Sequence, residues 1–262
     1  MVYYEPGVTP HGLPRNPFKA CVVPRPIGWI STRSADGKDN LAPYRYRISP
    51  QPIQPLHTNH PSQFNNLTFD PPYVMFSANQ THENQRKDTT INAETTGSFA
   101  WNICTWDLRH AMNITSEQLP HGTDEFQSAG LEKVMTNTLK HPVPMVKNSP
   151  IRFECTYYTT LRLPGNPPMG SVDVVIGRVV GVHIADEVLT DGLVDLRKVR
   201  PVARCGYHEY TVVRETFEMR PPGDGKMGYG LEGSAEANRE EQGRREGKGV
   251  GAGKVEDLEV KD

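Results

Sequence analysis

The 262-residue sequence predicts a mainly β fold with short helices, a barrel rather than a doubly wound sheet. Three observations predict it. Short runs of β-branched and aromatic residues recur along the chain, the helical stretches between them are few and brief, and one long Val/Ile-rich run carries internal glycines.

The elements follow in order. Residues 1–17 are rich in proline and glycine and read as an irregular arm. Residues 18–221 read as the folded domain. Ile27 to Thr32 predicts a strand, Asp36-Gly37 a turn, and Asn40 to Tyr44 the returning strand. Tyr73 to Ser77 is a short apolar run that suits a buried strand. Asp88 to Thr95 predicts a helix with Asp88 or Thr89 as its cap. Ser98 to Cys104 and Arg152 to Tyr157 alternate with period two. A second helix is expected over Asp107–Gln118. Val172 to Ile184 predicts one long strand, and Gly177 and Gly181 inside it predict bends in a closing sheet. Residues 222–262 are dominated by Gly, Glu, Lys and Arg. Such a segment cannot bury enough apolar surface to offset its ordering entropy, so a disordered tail is expected.

Composition excludes several classes. Net charge is −2 and the isoelectric point about 6.5, which argues against nucleic acid and anionic membranes as partners. No run reaches the ~20 apolar residues of a membrane helix, and residues 1–20 lack the apolar stretch of a secretion signal. The expectation is a cytoplasmic protein. Cys21, Cys104, Cys155 and Cys205 form no C-x-x-C pair and read as buried free thiols. His57 and His60 lack further ligands, so no metal site is expected. There is no G-x-S-x-G elbow and no G-x-G-x-x-G after a strand. Trp29, Trp101 and Trp106 are expected in the core.

Several segments in a fixed order carry more. They are Arg25-Pro26-Ile27-Gly28-Trp29-Ile30-Ser31-Thr32, Asn40-Leu41-Ala42-Pro43-Tyr44, Phe69-Asp70-Pro71-Pro72, Arg86-Lys87-Asp88-Thr89, Met112-Asn113, Gly122-Thr123-Asp124-Glu125-Phe126 and Val175-Ile176-Gly177-Arg178-Val179. Together they resemble the flavin reductase-like domain family, whose members form an FMN-binding split barrel. The resemblance implies a homodimer with FMN near the subunit interface. It also implies an oxidoreductase that passes electrons between a nicotinamide cofactor (NADH or NADPH), FMN and a small-molecule acceptor. A non-catalytic FMN-binding carrier, or an impaired splice product of the enzyme, is the alternative. On the resemblance, FMN contacts fall to Arg25, Ser31, Thr32, Asn40, Ala42, Pro43, Tyr44, Ser62, Phe64, Asn65, Ser77, Arg86, Lys87, Asp88 and Thr89. These residue types suit a phosphate ligand, since Arg86 to Thr89 put cations and a hydroxyl at a helix start, where N–H groups point outward and attract anions. An ordinary charged helix start explains the same four residues. Arg25 would reach phosphate and Thr32 a ring edge.

Two departures stand out. Relatives that reduce free flavin often carry a histidine shortly before the glycine matching Gly177. Here Ser171, Val172 and Asp173 stand there, and an acidic Asp173 would repel a dinucleotide phosphate. Second, seventeen residues, 45–61, separate Tyr44 from Ser62. They carry four prolines and no strand pattern. Removing them restores the family's Asn-Leu-Ala-Pro-Tyr-Ser run. A retained in-frame intron accounts for this, opening within the Arg45 codon and closing within that of Ser62. A surface loop is the alternative, since closure entropy grows slowly with length.

Overall fold

A computed structural model describes residues 1–43, 63–80, 86–117, 122–165 and 170–219. The chain divides into two compact units, Met1–Thr216 and Phe217–Asp262, and the barrel lies in the first. Tyr44, residues 45–61, Ser62 and the segment 222–262 fall outside the described residues.

In chain order the elements are α1 (Phe18–Cys21), β1 (Arg25–Pro26), β2 (Trp29–Arg33), β3 (Asp39–Pro43), β4 (Phe64–Phe69), β5 (Pro72–Asn79), α2 (Asp88–Thr96) and β6 (Ser98–Asn102). Then come α3 (Arg109–Ile114), α4 (Glu125–Ser128), β7 (Lys133–Met135), β8 (Pro144–Val146), β9 (Ile151–Leu163) and β10 (Val172–Ile184). The last are β11 (Leu189–Thr190), β12 (Leu193–Val194), α5 (Leu196–Val199), β13 (Val202–Gly206) and β14 (Glu209–Val212).

Seven strands form one antiparallel sheet in the order β3-β2-β6-β9-β10-β5-β4. The sheet curls on itself. Trp101 of β6 and Phe64 of β4 are separated by three intervening strands in that order, yet their rings stack at 4.5 Å and 4°. A bridge between Ile27 and Gln63 draws the two ends together. The interior holds Ile30, Val74, Phe76, Phe99, Cys155, Val175 and Val179. A second core sits outside the curl, around Trp29, Leu41, Met112, Phe126, Val146 and Val202. β2 serves both, because successive side chains of a strand point to opposite faces.

The long β10 runs over the expected span. Its register with β9 shifts at Ile176/Gly177 and at Val179/Gly181, so both glycines mark bends. A Cβ on Gly177 would stand 2.3 Å from the Phe99 ring, so only glycine lets that ring fill the interior. Gly37, at φ +86°, turns the β2–β3 hairpin.

Some expectations need correction. The second helix is only Arg109–Ile114; Asp107 and Leu108 precede it in a turn. The single helical turn of α1 follows the irregular arm of residues 1–17. Trp29 and Trp101 are buried, but Trp106 is not core. It sits half-exposed with the Arg109 guanidinium 3.8 Å from its ring centre and Arg214 at 5.5 Å, because a surface indole gains from covering cations. Only Cys104 and Cys155 are buried; Cys21 is exposed and Cys205 half-buried. Burial pushes the Cys104 thiol up to about 12 and Cys155 higher still.

Candidate functional site

α2 packs against β2, β3 and β6. The hairpin register sets Thr32 opposite Asn40 and Ile30 opposite Ala42, so Thr32, Asn40 and Ala42 share the face that meets α2. Asn40 Nδ2 donates to Thr89 Oγ1 at 2.8 Å, and Asn92 Nδ2 donates to Thr32 Oγ1 at 3.1 Å. All four side chains are buried. Asn92 is not among the residues the sequence points to. Its position three residues after Thr89, on the same helix face, is the signal that would have found it.

The start of α2 is cationic and donor-rich. The expected cap at Asp88 or Thr89 is corrected: both lie inside the helix, and Lys87 is its N-cap, without a side-chain capping bond. The Thr90 and Ile91 amides donate to Lys87 O. Helix geometry leaves the Asp88 and Thr89 amides without intrahelical acceptors. The Lys87 ammonium forms no ion pair among the described residues, and burial lowers its pKa despite the neighbouring Asp88. Thr90 Oγ1 is buried and has no hydrogen-bond partner among the described residues. An oxyanion at this helix start would offer acceptors to these groups.

Arg86 is committed elsewhere. Its Nη2 donates to Glu94 at 2.5 Å and its Nε to Asp173 at 2.9 Å, and these carboxylates raise its pKa, Glu94 foremost. Asp173 also receives Arg162 Nε at 2.8 Å. The expected repulsion of a dinucleotide phosphate by Asp173 is therefore corrected: two guanidinium groups face this one buried carboxylate.

The remaining candidates fall elsewhere. Ser31 and Pro43 lie on the opposite face of the hairpin. Ser31 Oγ accepts from Asn102 Nδ2 at 3.2 Å, inside the second core. Phe64 is barrel core. Its neighbour Asn65 faces outward and is exposed, as period-two alternation requires. Ser77 Oγ accepts from the Gln63 amide at 3.1 Å, and the Ser77 amide donates to Gln63 O at 2.9 Å, tying β4 to β5. Arg25 pairs with Arg204 of β13, on a separate three-stranded sheet. Thus Thr32, Asn40, Ala42, Lys87, Asp88 and Thr89 come together, and Arg25, Ser31, Pro43, Phe64, Asn65 and Ser77 do not join them.

One further group lies in the Gly122–Phe126 segment but is not among the FMN contacts that the resemblance implies. Glu125 Oε2 accepts the Leu41 amide at 2.9 Å. Burial, with Asp124 and Asp88 adding, pushes this carboxyl up to about 7. It joins α4 to β3 directly beside Asn40.

Fold and site define a curled antiparallel barrel with a cationic helix start packed on its first hairpin. The chain belongs to the flavin reductase like domain family, which it matches over residues 20–203. An uncharacterized protein of Halalkalibacterium halodurans is 31% identical over 201 residues, covering 77% of this chain and 87% of that one. Another, from Aquifex aeolicus, is 32% identical over 190 residues, 72% and 84% of the two chains. Among solved structures, nitrilotriacetate monooxygenase component B from Bacillus cereus aligns with a TM-score of 0.68 at 26% identity. That alignment covers 84% of this chain and 98% of that one. Flavoredoxin of Desulfovibrio vulgaris shares the fold, with a TM-score of 0.60 at 19% identity over 78% and 94% of the chains. The neighbours are split-barrel flavin proteins, and the fold described above is theirs.

Proposed function

We propose that this protein binds FMN with its phosphate at the start of α2 and works as a flavin-dependent oxidoreductase. The observation that carries the reading is the half-buried Lys87 at the helix N-terminus, without an ion pair among the described residues, with the unpartnered Thr90 hydroxyl in the same first turn. Lys87 would neutralise phosphate charge, and the Asp88 and Thr89 amides would donate to its oxygens. Thr32, Asn40, Thr89 and Asn92 would hold the hairpin and helix at a set spacing. Bound flavin would supply a carrier for one or two electrons, which no side chain here provides. With no dinucleotide-binding strand–loop–helix unit in the sequence, NADH or NADPH would dock directly over the flavin, in the place a small-molecule acceptor takes next. The Arg86–Asp173–Arg162 ion pairs remove the electrostatic objection to that donor.

The protein would act as a homodimer. Tyr158, Leu161, Val180, Val182 and Ile184 on β9 and β10 are exposed apolar side chains, which a second copy would cover. Free cysteines fit a cytoplasmic, reducing setting.

Fluorescence quenching of FMN tests the reading. Lys87→Ala should weaken FMN binding about tenfold or more, the worth of a charge-assisted contact. Equal affinity in the variant, or no FMN binding by the parent, refutes it. Oxidation of NADH or NADPH with FMN supplied then separates an enzyme from a carrier.

A further inference from the structure

Arg25 stands apart from the flavin region and has unusual company. Antiparallel pairing puts it directly opposite Arg204, and directly opposed residues share one face of a sheet. Both are only 7% exposed. Arg25 Nε, Arg25 Nη2 and Arg204 Nε are sealed from solvent and have no hydrogen-bond partner among the described residues. The other nitrogens of Arg204 donate to neutral oxygens, the Tyr210 hydroxyl and the Tyr207 carbonyl. A third cation, Lys19, comes from α1, which packs on β13. Burial, then Arg25, then Arg204 push its pKa down to about 8. Among the described residues no carboxylate pairs with Lys19, Arg25 or Arg204.

Buried charges persist when they are paired, and a guanidinium fork matches a planar or tetrahedral oxyanion in two-point contact. We propose that the β1–β13 face binds an oxyanion, a carboxylate or phosphate group, held by Arg25, Arg204 and Lys19. This site is separate from the start of α2, because α2 packs on β2, β3, β6 and β9, whereas β1 packs on β13 and β4, and β13 on α1 and β14. Entry has a route. α1 is a single turn with no buried residue, so lifting it exposes little apolar surface. Its close seat is the approach of Ala20 to Gly206, where a Cβ on the glycine would lie 2.8 Å from Ala20 Cα.

The test is the thermal midpoint of the full chain in sodium phosphate, sodium acetate and sodium chloride at matched ionic strength. Phosphate or acetate should raise it by about 5 °C over chloride at saturation. Response to phosphate alone assigns a phosphate group, and response to acetate as well assigns a carboxylate; both uphold the site. Arg25→Met should abolish the increment without lowering the midpoint in chloride, since it removes an unpaired buried charge. If Arg25→Met fails to fold, Lys19→Met must reduce the increment instead. The same increment should persist in Lys87→Ala, which separates this site from the flavin phosphate region. No increment in the parent chain, or an undiminished one in the Arg25 or Lys19 variant, overturns the proposal.

Discussion

At the scale of single residues, environment decides what a side chain does. Gly177 illustrates a steric limit. A methyl group there would meet the Phe99 ring at 2.3 Å, and neither a barrel strand nor a packed ring can yield much. Gly177→Ala should cost about 1–3 kcal/mol, read as a lower urea midpoint with the slope unchanged. Glu125 illustrates linkage. Its folded pKa of about 7 lies above the ordinary 4.5, so the folded state holds a proton that the unfolded chain releases. Its contribution is fully present below about pH 4.5 and is lost as pH rises through about 7. Glu125→Gln should therefore flatten the fall in stability between pH 5 and pH 8. An unchanged fall in urea titrations at those two pH values would show that Glu125 is not the group responsible. Glu154 takes the opposite course: buried, it accepts the Asn137 and Thr138 amides and pairs with His183 at 2.7 Å. These bonds hold its pKa down against the cost of burial.

At the scale of elements, the first hairpin and α2 form one packed unit. Asp39 of β3 takes Arg33 at 2.6 Å and Lys133 at 2.6 Å, and Lys133 also reaches Asp124. The hairpin is thus clamped to α4 and β7 on one side and to α2 on the other. Residues 45–61 stand in the sequence between β3 and β4. Deleting them should retain or strengthen FMN binding, because the family run Tyr44-Ser62 is then continuous. Binding only by the shortened chain would support a retained intron, and equal binding by both would make the segment a tolerated loop. Coding DNA without a GT at the Arg45/Tyr46 boundary, or without AG in codon 62, would sink the intron reading.

For the whole molecule, the outer face of β9 and β10 is where assembly would be set. Val182 is 55% exposed, while its neighbour His183 turns inward to Glu154. A charge at Val182 should oppose self-association without touching the barrel interior. Val182→Asp is expected to halve the mass seen by light scattering, with circular dichroism unchanged. A parent chain that is already monomeric would remove the homodimer from the proposed function.

The sequence by itself determined the β-rich class, the span of β10, the start of α2 at Asp88 and membership of the family. These are local or ordered signals: strand alternation, glycines at bends, and motifs in a fixed order. It also named Thr32, Asn40, Lys87 and Thr89, which do meet. It did not separate Ser31 and Pro43 from Thr32 and Ala42, although strand periodicity alone places them on opposite faces. Only the tertiary structure decided which face meets α2. Only it paired Arg86 and Arg162 with Asp173, and only it brought Lys19, Arg25 and Arg204 together. Those groupings join residues far apart along the chain. Burial and charge pairing depend on the curled sheet, and no short stretch of sequence records which distant side chain will be there to answer.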